Sequence, residues 1–217
     1  TVTLRWDGRD WPIERGILRP CLHDARLYPY TRAEANAWMI FPYEIVHNGT
    51  RTMARLIQPA DMARRFPVCF AYLTARQVEL ERRNVVGGTA ADRQFYQFGR
   101  SQSLTKFDSP KIILPILSLE ARYAYDESNI MMTGGGNGPY YMIRPLNGAP
   151  ESHFFLLAVL HHPLSEAMVR THTSPFRGGY YSHGKQFIEH LPIPPATPAQ
   201  RTEIELLVRQ MIDANDA

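Results

Sequence analysis

Prolines and glycines punctuate the whole length of the chain, with 17 of the first and 14 of the second in 217 residues. No internal repeat or low-complexity tract interrupts this spacing, so the natural reading is one compact unit built of short elements. The sequence is 44% hydrophobic, enough for a sizeable core at this length. It begins at Thr1 without a basic and apolar leader, so secretion is not indicated and excision from a longer polypeptide is expected. Apolar runs such as Phe154 to Leu160 are too short to span a bilayer. Cys21 and Cys69 sit in apolar or helical contexts and read as inert packing residues of a reduced, cytoplasmic protein.

The elements can be read in outline. Trp38 to Val46 is aromatic and β-branched, a buried strand with Pro42 marking an edge or bulge. From Pro59 to about Asn84 the apolar spacing turns helical, and Pro67 starts a new helix or kinks the old one. Lys111 to Leu117 reads as a central strand, continued in extended form from Ala121 to Tyr125. Ser128 to Thr133 and Pro139 to Ile143 flank Gly134 to Gly138 and are expected to form a hairpin. Glu151 to Leu160 and Leu164 to Thr171 form a helical pair broken at Pro163. Thr197, Pro198 and Gln200 make a capping box before the stripe Ile204, Leu207, Val208, Met211, Ile212, which predicts an amphipathic helix from about Pro198 to Asp213. The fold class expected is α/β (α+β), a mixed, mainly antiparallel, twisted sheet flanked by helices.

The net charge is +3, and only Lys106, Lys111 and Lys185 are lysines, the other basic side chains being arginines. Arginine suits phosphate and guanine recognition because its planar fork donates two hydrogen bonds at once. A GC-rich genome would give the same bias. Catalytic signatures are missing. A metal-dependent nuclease places Asp or Glu two residues before a Lys, but Leu104, Ser109 and His183 hold those positions. Adjacent His161 and His162 point to different faces of a helix and read as helix-end residues, not zinc ligands. The glycine run is followed by a strand-like segment, which does not suit a cofactor cradle. Asn137-Gly138-Pro139-Tyr140 lacks the first proline of the Asn-Pro-Pro-Tyr loop with which amino-methyltransferases hold an adenine. No catalytic or metal-binding residue is therefore assigned.

The order of several weaker motifs carries more information. Trp38 to Glu44, Phe66 to Arg83, Tyr96 to Lys111, Tyr140-Tyr141, Phe154 to Pro163, Phe176 to Tyr180 and Leu191-Pro192-Ile193-Pro194 together resemble the TaqI-like C-terminal specificity domain. The likeness runs from about Arg19 to Ile212, and departs from the family where His161 and His162 replace the Asn and Ser of a usual Leu-Asn-Ser-Pro. That family reads target sequences for adenine-specific DNA methyltransferases, including fused restriction-methylation enzymes, and is similar in fold to the target-recognition domains of type I specificity subunits. The resemblance implies a non-catalytic recognition domain over 19–195, preceded by a linker or remnant of an upstream domain over 1–18 and followed by the terminal helix over 196–217. It implies double-stranded DNA as partner, a catalytic methyltransferase domain in the same or a partner chain, and S-adenosylmethionine bound in that domain, with no cofactor in this chain. A protein-interaction scaffold within a defence complex is the alternative.

Candidate contacts follow. Arg93, Arg100, Lys106, Lys111, Arg177 and Lys185, with the Gly178-Gly179-Tyr180 stretch, are expected along the DNA backbone. Ser118, Glu120 and Arg122 are spaced by two, so an extended strand sends them to one face, where they are expected to contact base edges, while Leu117, Leu119 and Ala121 turn to the other.

Overall fold

A computed structural model describes residues 1–85, 88–89, 93–101, 103–132 and 139–216. It is α+β in class, with several small sheets in place of the one expected. The chain divides into two compact units, the first formed by 1–19 and 38–108, the second by 20–37 and 109–217. Because the chain crosses between units three times, the division leaves no linker of distinctive composition for a sequence reading to find.

The first unit opens with β1 (Val2–Trp6) and β2 (Arg9–Ile13), an antiparallel hairpin turning at Asp7 and Gly8, both at positive φ. The chain runs on through β3 (Leu18–Leu22) into the second unit and returns along β4 (Ala37–Ile40). The expected strand from Trp38 to Val46 is split at Pro42, and its second half, β5 (Tyr43–Asn48), pairs antiparallel with β6 (Arg51–Leu56). Three short helices follow, α1 (Pro59–Arg65), α2 (Pro67–Ala75) and α3 (Gln77–Glu81), and Pro67 does begin a new helix. The two-residue strands β7 (Asn84–Val85) and β8 (Gly88–Thr89) pair beyond them.

The segment expected as a linker or remnant of an upstream domain contributes to the first unit's core. Ile13 and Ile17 are buried in the unit's core with Met62, Cys69, Leu73 and Tyr96. Glu14 does further work there. Phe66 precedes α2 and has no side-chain acceptor to offer, and the Glu14 carboxylate accepts instead from the amides of Val68 (2.7 Å) and Cys69 (2.9 Å). An anion at a helix N-terminus satisfies free amides and meets the positive end of the dipole.

In the second unit, β9 (Lys111–Pro115) is the central strand expected from its apolar run. After β10 (Leu117–Ser118), β9 pairs antiparallel with β11 (Ala124–Asp126). The next strand, β12 (Met131–Met132), pairs parallel with β3, whereas β13 (Tyr140–Ile143) pairs antiparallel with β9. Two strands expected to face each other in a hairpin thus belong to different sheets, and Gly134 to Gly138 lie outside the described residues. The helical pair is found as α4 (His153–His161) and α5 (Pro163–His172). Here His162 caps α5, its Nδ1 accepting from Leu164 N at 3.2 Å.

The remaining elements are β14 (Tyr181–Ser182), α6 (Lys185–Ile188) and α7 (Pro198–Asn215). The capping box is complete, the Thr197 hydroxyl accepting from Gln200 N while Gln200 Oε1 accepts from Thr197 N. Val208 and Ile212 are buried in a core with Ile112, Leu114, Tyr123 and Leu157, whereas Leu207 and Met211 from the same stripe are exposed. Both cysteines are buried thiols, and burial pushes Cys69 up to about 12. Among the described residues no helix is long and apolar enough to cross a membrane.

Candidate nucleic-acid interface

The expected contacts separate into those that reach solvent and those that cannot. Arg93, Arg100 and Lys106 are exposed in the first unit, and Arg177, Gly178, Gly179, Tyr180 and Lys185 are exposed in the second. Lys111 is a correction. Its side chain is fully buried and forms an ion pair across the β9–β11 ladder with the equally buried Asp126, its register partner. Asp126 also accepts from the amides of Ser128 (2.9 Å) and Ile130 (3.1 Å). A phosphate cannot approach this ammonium.

Arg177, one of the exposed cations expected in the second unit, lies in a tight turn. Phe176 N donates to Tyr180 O at 2.7 Å and Gly179 N to Phe176 O at 3.0 Å, closing a loop with Arg177 between the two bonds. Gly178 and Gly179 hold φ of 84° and 80°, a region that costs a side chain strain but suits glycine. The Phe176 and Tyr180 rings are exposed beside the arginine. Lys185 is 78% exposed at the start of α6, and its nearest anion is Glu189, 3.6 Å away.

Base reading by Ser118 is also corrected. Its side chain is buried, and its hydroxyl lies 2.7 Å from Glu120 O and 2.9 Å from His183 Nδ1. His183 is itself fully buried, and its other ring nitrogen lies 3.0 Å from Glu166 Oε2. Glu166 Oε1 accepts from Arg170 Nε at 2.6 Å, and Arg170 also donates to Leu119 O at 2.7 Å and stacks over Tyr181. Burial by itself would raise the Glu166 carboxyl, but the hydrogen bonds from His183 and Arg170 outweigh it and hold the group below its ordinary value.

This relay explains why the expected alternation fails. β10 lasts only two residues, and the chain bends at Leu119 and Glu120, so the spacing of two no longer sorts side chains between faces. Leu117 and Leu119, expected on the face away from the bases, are 46% and 43% exposed, while Ser118 is drawn inward by His183. Glu120 remains exposed and accepts from Arg122 at 2.8 Å, with the Arg122 side chain mostly buried. Of the three expected base readers, only Glu120 presents its functional group to solvent.

The sequence reading missed the segment before the first crossover strand's return. The His23 amide donates to Asn36 Oδ1 and the Asn36 amide donates back to His23 O, at 2.9 and 2.7 Å. Tyr140 Oη donates to Ala25 O at 2.7 Å. Between these anchors Arg26 is exposed, its guanidinium over the Tyr28 ring. Residue type alone gave no signal there, since the anchors are long-range.

The paired histidines have structural roles. His161 Nδ1 faces Leu157 O at 3.0 Å and its Nε2 accepts from Tyr123 N at 3.1 Å, and burial pushes the ring down to about 4. Among the described residues no three His, Cys, Asp or Glu side chains are placed to hold a metal ion.

No family model matches this sequence. It is 27% identical over 201 residues to the type II restriction enzyme and methyltransferase RM.Eco57I of Escherichia coli. That match takes in 89% of this chain but only 20% of the relative, so the chain spans about a fifth of the length of the curated protein it resembles. The chain is thus similar, over nearly all its length, to one segment of a restriction-modification enzyme.

Proposed function

We propose that this chain is the DNA target-recognition domain of a restriction-modification adenine methyltransferase, of the TaqI-like specificity type. It holds duplex DNA while a catalytic domain elsewhere, in the same or a partner chain, binds S-adenosylmethionine and methylates the base. The observation that carries this reading is the extent of the match, in which nearly the whole chain corresponds to a fifth of an enzyme that combines restriction and methylation. A segment of that size is one functional part of such an enzyme. The exposed cations and the glycine turn at Arg177 to Tyr180 support a role in holding nucleic acid, because backbone and arginine together can approach phosphates closely.

The test is binding of random-sequence duplex DNA across a salt series. Each phosphate neutralised contributes about −0.9 to the slope of log affinity against log salt. Engagement of Arg177 and Lys185 alone gives a slope of about −1.8, and any further cation makes it steeper. Binding that ignores salt, or binding of S-adenosylmethionine by this chain alone, would contradict the reading.

A further inference from the structure

In the second unit an open groove of about 710 Å³ runs between the anchored segment Asp24 to Leu27, the residues Pro115 to Leu119 with Arg122, and Tyr180. Its chemistry is unusual for a surface hollow. Arg26 brings an exposed guanidinium, Leu117 and Leu119 bring two exposed aliphatic side chains, and Tyr180 brings an exposed ring. Each is held by a fixed backbone. Tyr140 Oη pins Ala25 O, Arg170 pins Leu119 O, and the Phe176–Tyr180 hydrogen bond closes the turn that carries Tyr180. A β-carbon added to Gly179 would lie only 3.9 Å from Leu119 Cδ2, so the glycine turn rests directly beside the leucine.

Exposed leucines cost solvation, and two of them flanking a buried serine on a pinned strand call for an apolar partner. The partner must also suit the exposed Arg26 guanidinium in the same groove. The edge of duplex DNA in the major groove offers both, since guanine presents the O6 and N7 acceptors that arginine matches and thymine presents a C5-methyl group. We propose that this groove reads sequence, Arg26 donating to a guanine and Leu117 and Leu119 packing against thymine methyls. Glu120, exposed and next in sequence to Leu119, accepts from a cytosine amino group. The assignment rests on the DNA-recognition reading above. It moves base choice from Ser118 and Arg122 to Arg26 and the two leucines.

The experiment selects bound duplexes from a randomised pool with the 217-residue chain and reads the preference by sequencing. Arg26→Gln is expected to relax one guanine position by roughly 5- to 150-fold while leaving the others intact. A second arm alters only the DNA. Deoxyuridine in place of thymine removes one methyl, and at one or two positions it is expected to weaken binding about fourfold. Leu119→Ala should abolish that sensitivity at one of them. Arg26→Gln and Leu119→Ala that keep the wild-type preference, with no thymine sensitive to demethylation, overturn the groove assignment even where salt-dependent DNA binding persists. Absence of any DNA binding by the wild-type chain overturns this inference and the recognition reading together.

Discussion

His183 Nε2 lies 3.0 Å from Glu166 Oε2, and both side chains are withdrawn from solvent, His183 completely. The same carboxylate accepts from Arg170, so one anion serves two donors that reach β10 from different directions, His183 through Ser118 and Arg170 through Leu119 O. Glu166→Gln keeps the shape and removes the charge. Because buried charge-assisted hydrogen bonds contribute about 1.5–3 kcal/mol each and Gln keeps one acceptor oxygen, a loss of about one such bond, about 1.5–3 kcal/mol, is expected in urea unfolding at pH 7. The carboxyl is held below its ordinary value in the folded state. Its contribution is therefore present above the unfolded value of about 4.5 and fades as pH falls through the lower folded value. The gap between wild type and Glu166→Gln should narrow below about pH 4.5, and a gap constant with pH would show that the charge is not what matters.

His161 gives the second pH dependence. Its Nε2 must stay unprotonated to accept from Tyr123 N, and burial lowers the ring to about 4 from the usual 6.5. The unfolded chain therefore takes up a proton between about pH 6.5 and 4 that the folded chain refuses, and stability falls across that window as pH drops. His161→Phe should flatten the slope there. It should also cost about 1–3 kcal/mol at neutral pH, since the Tyr123 amide loses its acceptor. Urea midpoints at several pH values check both.

Lys111 and Asp126 separate structural charge from binding charge. Lys111→Met leaves Asp126 buried without its counter-ion and should cost about 3–5 kcal/mol. The double variant Lys111→Met with Asp126→Asn buries no charge and should recover much of that loss. By contrast Lys185→Ala, at an exposed side chain, should change stability by less than about 0.5 kcal/mol. Denaturant titration of all three distinguishes a core ion pair from a phosphate contact.

What the sequence disclosed and what it hid follow from the range of the interactions. The terminal helix was legible because Thr197, Pro198 and Gln200 start it within four residues. The α4–α5 pair and the break at Pro163 were equally local. Lys111 was misread because its partner lies fifteen residues on, across a ladder whose register no local pattern states. Ser118 was misread because a two-residue strand is too short for alternation, and the histidine that draws it inward is 65 residues away. The opening hairpin gave no warning that Glu14 caps a helix starting at Pro67.

The stripe on α7 should split in two. Val208 and Ile212 are in the core, and Val208→Asp or Ile212→Asp should destabilise by several kcal/mol through burial of an unpaired charge. Leu207→Glu and Met211→Glu fall on exposed positions and should leave the thermal midpoint within about 2 °C. Loss of stability from the exposed pair would mean that those side chains are covered in the native chain.

The turn at Arg177 allows charge and geometry to be tested apart. Arg177→Ala with Lys185→Ala removes two exposed cations without touching a buried contact, so the salt slope for duplex binding should fall by about 1.8 at unchanged unfolding midpoint. Gly178→Ala does the reverse. The new β-carbon would meet Tyr180 at an ordinary 3.5 Å, so space is not the obstacle, but φ of 84° disfavours any L side chain by about 1 kcal/mol or more. The turn should open to relieve this strain, displacing Tyr180 while every charge remains. Affinity is then expected to fall with the salt slope intact, because the number of phosphates met is set by the cations and the fit of the turn by its glycines. If Gly178→Ala instead lowers the slope as the double variant does, the glycine turn serves only to aim Arg177, and Tyr180 contributes nothing of its own.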